Sequence, residues 1–595
     1  MLSKCNEYVE NHSYAASAVL ALVAAVVFSG VLSNGFVYDD GKQLLENPFV
    51  RNAHLWWRIF TGSVWSFLGA AKEGNFYRPL HIFSYWLIWR IAGPNPAAYH
   101  LFQWVLYMAT GLLVFQIGRE IAGNELAAFT GSLLWLVHPL HVEAVAWIAS
   151  VPELGCGFFY LLTFHLFLRA EKAGSWRVAR HALAVLAYLP ALFFKEAALS
   201  FPLLLIAYWF FFSDAAETWR RRAACWAMYA GAAVVYSAAR VAALGHFFGT
   251  RHLWKIQPKI IAAAIGLMGQ HAKLFFWPVH LNVFHTFDPG PSLRSPWPWL
   301  TLLVLAAAGV LRKRQRVLGF LIVWWAVTLL PCLDVRQLSF PLLAERFSYL
   351  PSVGICLALA YLCLALLPQQ LPHFRLAPVV LPVLGLLMCF WCVQDVQAVP
   401  NWRNNESLFG YSLIVAPNAG LVHIHHGLDL QFREHDLEGA RKEFETALRL
   451  NQASFYPLPV VTNGSYIGFG QIADLEGRHD EALAYFQKAA RALPNDILAY
   501  DLLGTVYFPR GDYAKAAEYF ARAIQVNPQD LSGRFYLGTC WMKLGKYREA
   551  AEQFHAAREI DPTYTQAYAA EAQALDGAGE ARGAAEARKL KPPAE

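Results

Sequence analysis

Charged side chains are scarce in this sequence: Asp, Glu, Lys and Arg make up only 15% of its 595 residues, against 56% hydrophobic ones. A soluble domain carries about a quarter charged residues. With a mean hydropathy of +0.32, the deficit excludes an ordinary soluble protein over much of the chain. It is also local: residues 1–395 are rich in Leu, Ala, Phe and Trp, whereas 400–595 have the composition of a soluble domain. The apolar run after Met1 lacks a clear cleavage site and many more runs follow, so it reads as a retained first span. The nine cysteines are scattered, mostly inside apolar stretches. Cys389 and Cys392 have CxxC spacing but lie within an apolar run, where packing outweighs redox or metal chemistry. The net charge of +6 does not mark a nucleic-acid partner, because the basic residues cluster in short loops between apolar spans.

A membrane-spanning helix needs about 20 apolar residues. Eleven runs are candidate spans: 14–33, 98–117, 124–138, 153–169, 180–194, 197–213, 224–243, 297–311, 317–333, 349–368 and 376–396. Two shorter or more polar segments, 80–92 and 260–278, are expected to lie at the interface or re-enter. With the N-terminus inside, the basic clusters Arg169/Lys172/Arg177/Arg180, Arg220–Arg222 and Arg312/Lys313/Arg314/Arg316, and the weaker Arg119, then all fall on the cytoplasmic side. The loops 34–79, 138–152, 244–296 and 334–348 share the opposite face, as does everything after the last span.

Past residue 398 the pattern changes. Pro494, Pro528 and Pro562 are spaced by 34 residues, and Leu503-Gly504, Tyr507, Gly511, Ala516, Phe520 and Ala523 recur as Leu537-Gly538, Trp541, Gly545, Ala550, Phe554 and Ala557. This resembles the tetratricopeptide repeat, in which small residues let two helices approach, aromatics fill the seam and proline ends the second helix. Gly470, Gly477, Ala482, Phe486 and Ala489 mark an earlier copy, and a looser and a decayed one flank the set, giving four to five repeats. The expected division is 1–398, a polytopic membrane domain; 399–417, a connector; and 418–595, a repeat domain.

Polar residues at the membrane boundary are the candidates for chemistry. Asp39 and Asp40 follow the first span; aromatic stretches around Trp56-Trp57 and Trp65-Ser66-Phe67 suit the headgroup region, and Tyr77-Arg78-Pro79-Leu80 follows them. His138-Pro139-Leu140-His141-Val142-Glu143 sits at the end of another span, and a hydrogen-bonded polar cluster is favoured there over a metal site. Lys195-Glu196 lies between two apolar spans, where the default is a pair between those neighbours or a snorkelling lysine. Arg346 has the guanidinium geometry for bidentate phosphate binding.

These motifs, in this order, with Ala344-Glu345-Arg346-Phe347-Ser348-Tyr349-Leu350-Pro351-Ser352 and Asn401-Trp402 ahead of the repeats, resemble the transmembrane and tetratricopeptide-repeat-containing proteins. Those belong with protein O-mannosyltransferases and lipid A aminoarabinose transferases among polyprenyl-phosphate-dependent glycosyltransferases of the C-type fold. The resemblance implies an all-α protein: a polytopic helical transferase domain followed by a tetratricopeptide α-solenoid. It implies transfer of mannose or another hexose from a polyprenyl-phosphate donor to an acceptor on the non-cytoplasmic face, with inversion. Asp39, or Asp40 beside it, would act as base; Lys195 and Arg346 would stand near the donor phosphate. Glu143, His138 and His141 would serve binding of sugar or acceptor, and Arg78 would shape the site. Where relatives carry a Gly-Arg-Ala-like element after the glutamate, this chain has Ala146-Trp147-Ile148-Ala149-Ser150-Val151-Pro152-Glu153.

The partners implied are the lipid-linked sugar, membrane lipid and a protein or peptide acceptor on the repeats; no metal ligand is assigned, and divalent-metal dependence stays open. The competing reading is a non-catalytic membrane anchor displaying a repeat scaffold, which has no use for carboxylates and cations gathered on one face. The alanine-rich composition and short array point to a bacterial inner membrane with repeats in the periplasm, or to an endoplasmic reticulum membrane with lumenal repeats in a eukaryote. A cysteine engineered within 530–560 is expected to react with reagents applied outside the cytoplasm; labelling only from the cytoplasmic side would overturn this topology.

Overall fold

Proline and asparagine decide where many of the helices begin. Pro79, Pro96, Pro152 and Pro202 stand in the first turns of Pro79–Ala92, Pro96–Ala122, Val151–Glu171 and Phe201–Phe212, where the missing N–H has no intrahelical partner to lose. Asn95 and Asn124 cap the helices Pro96–Ala122 and Glu125–Leu136 by accepting from Ala97 and Ala127 backbone N–H groups. The computed structural model describes residues 2–68, 75–172, 177–213, 219–246, 258–333, 342–370, 377–455, 457–562 and 564–589. The expected loops 34–79, 244–296 and 334–348 therefore lie partly outside the described residues, which contain helices and no strand.

The chain divides into two compact units, Met1–Val64 with Asn75–Ala416, and Trp65–Gly74 with Pro417–Glu595. The first unit is an integral membrane bundle. Five helical segments among the described residues are long and apolar enough to cross a bilayer: Pro96–Ala122, Ile148–Glu171, Trp219–Leu244, Arg316–Leu333 and Ala377–Trp402. The pair Leu2–Asn11 and Ser13–Val27 is long and apolar enough only when taken together, and is bent by 91° at the break. The other expected spans fall on shorter apolar helices, Glu125–Leu136, Val178–Phe194, Glu196–Phe212, Trp297–Val310 and Ser352–Leu366. Segments 80–92 and 260–278 form the helices Pro79–Ala92 and Pro258–Phe276.

Small residues let these helices meet closely, as apolar surroundings require, since lipid supplies no hydrophobic drive between helices. A Cβ on Gly131 would stand 2.8 Å from Leu357, and one on Gly354 would stand 2.4 Å from the Leu321 carbonyl oxygen. Around Pro96–Ala122 the buried Tyr107, Trp135, His141 and Tyr349 form an aromatic cluster, with Tyr107 donating to the Leu136 carbonyl at 2.8 Å. The expected connector is itself structured: helix Asn405–Val415, opened by a capping box on Asn404, belongs to the first unit.

The second unit is a row of helix pairs: Gly420–Asp429 with Leu437–Ala453, Pro459–Leu475 with His479–Ala492, Ile497–Tyr507 with Tyr513–Val526, Leu531–Lys543 with Tyr547–Ile560, and Thr565–Gly577 with Ala581–Lys589. Gly477, Gly511, Gly545 and Gly579 turn the later pairs with φ of 75° to 78°, a left-handed conformation that any side chain would oppose. In the first four seams a glycine faces a phenylalanine ring: a Cβ on Gly504 would come to 2.7 Å of Phe520, and one on Gly538 to 2.8 Å of Phe554. The sequon Asn463-Gly464-Ser465 lies inside a helix, with Asn463 buried and donating to the Ala489 carbonyl. Phe520→Ala, which empties one seam, is expected to cost the repeat unit about 3–5 kcal/mol, read as a lower denaturant midpoint of helical circular dichroism.

Candidate functional site

The loop after the first span is held from two sides. Asn34 Nδ2 donates to the Val399 carbonyl at 3.2 Å, Gly35 N–H to that of Arg403 at 2.9 Å, and Tyr38 N–H to Asn405 Oδ1 at 2.8 Å. Tyr38 takes a left-handed φ of 51°, unusual for an aromatic residue. Its ring packs against Trp147, Phe284 and Phe409, which together hold that conformation in place.

The two adjacent carboxylates behave differently. Asp40 is fully buried, and both of its oxygens are engaged: Oδ2 accepts from Val37 N–H at 2.9 Å and Oδ1 from Ala149 N–H at 2.8 Å. Burial drives its pKa well above the usual range, against the pull of those two donors. Asp40 therefore ties the loop after the first span to the loop that carries Ala149. Asp39 is only partly buried. Burial pushes it up to about 6, with the Arg346 and then the Lys42 charge acting in the opposite direction. That leaves Asp39 the more available of the two for proton transfer.

Three cations meet three carboxylates beside them. Glu143, fully buried, accepts from the Arg346 backbone N–H at 2.8 Å and from its guanidinium. Lys195 Nζ donates to Glu153 Oε1 at 2.7 Å, and Arg346 Nε lies 3.5 Å from the same oxygen. Arg78 grips Glu196 bidentately, at 2.9 and 2.5 Å. The Phe347 ring packs against both Lys195 and Arg346, with the two cations 4.8 and 5.1 Å from its centroid, and Trp147 covers Arg346 at 5.0 Å. Burial opposes the charge of Arg346, but Glu143 and Glu153 outweigh it and raise its pKa.

The structure thus gathers Asp39, Asp40, Glu143, Lys195, Arg346 and Arg78 around one set of loops. It does not pair Lys195 with its neighbour Glu196, because each turns to a distant partner. His138 and His141 are elsewhere in function: both are fully buried, with both ring nitrogens engaged. His138 contacts the Phe275 carbonyl and the Leu140 N–H, and His141 contacts Tyr107 and Ser352. They pack the aromatic cluster and present no nitrogen to a ligand. Glu153 is the residue that sequence reasoning passed over; its one signal was a carboxylate in the first turn of an apolar helix. A second carboxylate beside the site, Glu345, accepts from Asn282 N–H and contacts His285 Nε2 at 2.8 Å. Farther along the same bundle, an apolar cavity of about 260 Å³ opens between helices and is lined by Phe276, Trp297, Leu300, Trp325, Ile355 and Leu359.

The profile of the tetratricopeptide repeat matches residues 428–497 and 502–565. A protein O-mannosyl-transferase of Caenorhabditis elegans is 23% identical over 426 residues, covering 69% of this chain and 59% of that protein. Protein O-mannosyl-transferase TMTC1 of Homo sapiens is 32% identical over 163 residues, 27% of this chain and 18% of that protein. Among solved structures, YrrB, a TPR protein with an unusual peptide-binding site, shares 25% sequence identity over 30% of this chain and 89% of its own, with a TM-score of 0.25. The chain is thus similar to transmembrane, repeat-containing proteins and itself carries the repeats, and its matches span at most 59% of the length of these curated relatives.

Glu143→Gln leaves the Arg346 guanidinium short of a buried counter-charge. It is expected to destabilise the membrane unit by about 3–5 kcal/mol, measured as a lower thermal midpoint of the purified protein in detergent.

Proposed function

We propose that the protein is a membrane glycosyltransferase that moves mannose or a similar hexose from a polyprenyl-phosphate donor to a hydroxyl of a protein acceptor. The carrying observation is the division of labour between neighbours: Asp40 is consumed by two backbone N–H groups, while Asp39 is partly exposed, raised to about 6 and within the field of Arg346. The similarity to protein O-mannosyl-transferases supports the same class of reaction.

In this reading the acceptor hydroxyl gives its proton to the Asp39 carboxylate as its oxygen attacks the anomeric carbon. The bond from that carbon to the phosphate oxygen breaks, and the polyprenyl phosphate leaves with the electron pair. One direct displacement inverts the anomeric centre. Arg346 and Lys195 stabilise the charge growing on the leaving phosphate, in a setting poor in water where such contacts are strong. Glu143 and Glu153 hold the two cations in place until the donor arrives, and Arg78, locked to Glu196, braces the floor. The apolar cavity beside Trp297 and Trp325 suits the isoprenoid chain of such a donor. Charge parity of the spans supports a reading in which the Asp39 loop faces away from the cytoplasm, in a bacterial inner membrane or the endoplasmic reticulum, and the concave side of a repeat array suits an extended peptide acceptor.

Asp39→Asn is expected to abolish sugar transfer while leaving membrane insertion and repeat folding intact, whereas a non-catalytic scaffold would be indifferent to the change. In the unsubstituted enzyme the base must be ionised, so transfer falls as pH drops through about 6. The check is a pH–rate profile with glycan mass spectrometry of the product; full transfer by Asp39→Asn, or an acid limb unchanged in its absence, would sink the mechanism.

A further inference from the structure

Helix Val151–Glu171 carries Glu153 at one end and Glu171 at the other. At about 1.5 Å of rise per residue, the two carboxylates are separated by roughly 27 Å along the axis. Whatever Glu171 does is therefore done far from the sugar-transfer site.

Two other helices converge on Glu171. His181 lies near the start of Arg177–Phe194, and Cys225 lies in the second turn of Trp219–Leu244. One ligand atom from each, a carboxylate oxygen, an imidazole nitrogen and the thiol sulfur, all fall within 4.8 Å of one another. His181 is 1% exposed. Its Nδ1 is 3.1 Å from the Tyr229 hydroxyl, and its Nε2 faces Glu171 Oε1 at 3.2 Å. The second carboxylate oxygen, Oε2, accepts from the Trp209 indole N–H at 3.4 Å. Nearby, Glu120 takes Arg169, Lys172 and His165.

We propose that Glu171, His181 and Cys225 form a binding site for a dication of the zinc class. The donor set is what such an ion selects: one thiolate, one imidazole nitrogen and one carboxylate, with a water completing four-coordination. The surroundings are those of a ligating histidine. Nδ1–H donates to Tyr229, which fixes the tautomer and leaves Nε2 with its lone pair towards the ion. Trp209 orients Glu171 in the same way. A zinc-class ion draws its ligands to within roughly 4 Å of one another, a small contraction from the 4.8 Å within which these atoms already lie. Binding releases the Cys225 thiol proton to solvent and ties three helices together at one end of the bundle.

The test uses the full-length protein in detergent, titrated with Co²⁺. The expected result is one equivalent bound, a near-ultraviolet thiolate-to-cobalt charge-transfer band, and displacement of that band by Zn²⁺. Cys225→Ser, checked as monodisperse by size-exclusion chromatography, should lose the band. Tyr229→Phe should keep it but weaken affinity by about 10–100-fold. Absence of the band in the unsubstituted protein, or its survival in Cys225→Ser, would overturn the site; so would unchanged affinity in Tyr229→Phe.

Discussion

A buried charge at a membrane boundary must find its opposite, and the architecture of the first unit follows from how this chain meets that demand. Arg346 reaches Glu143 across 203 residues of sequence, Arg78 reaches Glu196 across 118, and Lys195 reaches Glu153 across 42. Breaking any one pair leaves a desolvated charge, a far larger loss than the pair's own gain. The loops that carry these residues are thereby bound to one another, whatever the intervening helices do. Asp40 extends the same logic with neutral donors, joining its own loop to a second one through Ala149 N–H.

The arrangement also supplies a reserve of positive charge that is neutral at rest. Three guanidinium or ammonium groups are balanced by three carboxylates, and aromatic faces of Phe347 and Trp147 hold two of the cations in fixed orientation. Groups held in this way need little reorganisation to meet a developing charge. Asp39 stands at the rim of that arrangement, where partial burial makes it a stronger base than an exposed carboxylate.

Much of the fold was legible because its signals are periodic or compositional. The 34-residue spacing of Pro494, Pro528 and Pro562 located the repeats, and the positive-φ glycines fall on the same period. In the site, the kinds of residue were legible and their partners were not. Lys195 and Glu196 are adjacent in sequence, yet the chain turns from the end of one helix into a 3₁₀ segment between them, and they face different partners. His138 and His141 have ligand-like spacing, but only the packing of Phe275, Tyr107 and Ser352 reveals that their nitrogens are already used. The left-handed Tyr38 has no sequence signature at all, since nothing about tyrosine announces a positive φ.

The glycine turns of the repeat unit have one more consequence. Gly477, Gly511, Gly545 and Gly579 repeat the same backbone geometry, and the first four seams are each closed by their own glycine and phenylalanine. Each module therefore buries its interior against its neighbours alone. Duplication or loss of a whole module restores the same junction it interrupts, so the array can change length without altering how its remaining modules pack.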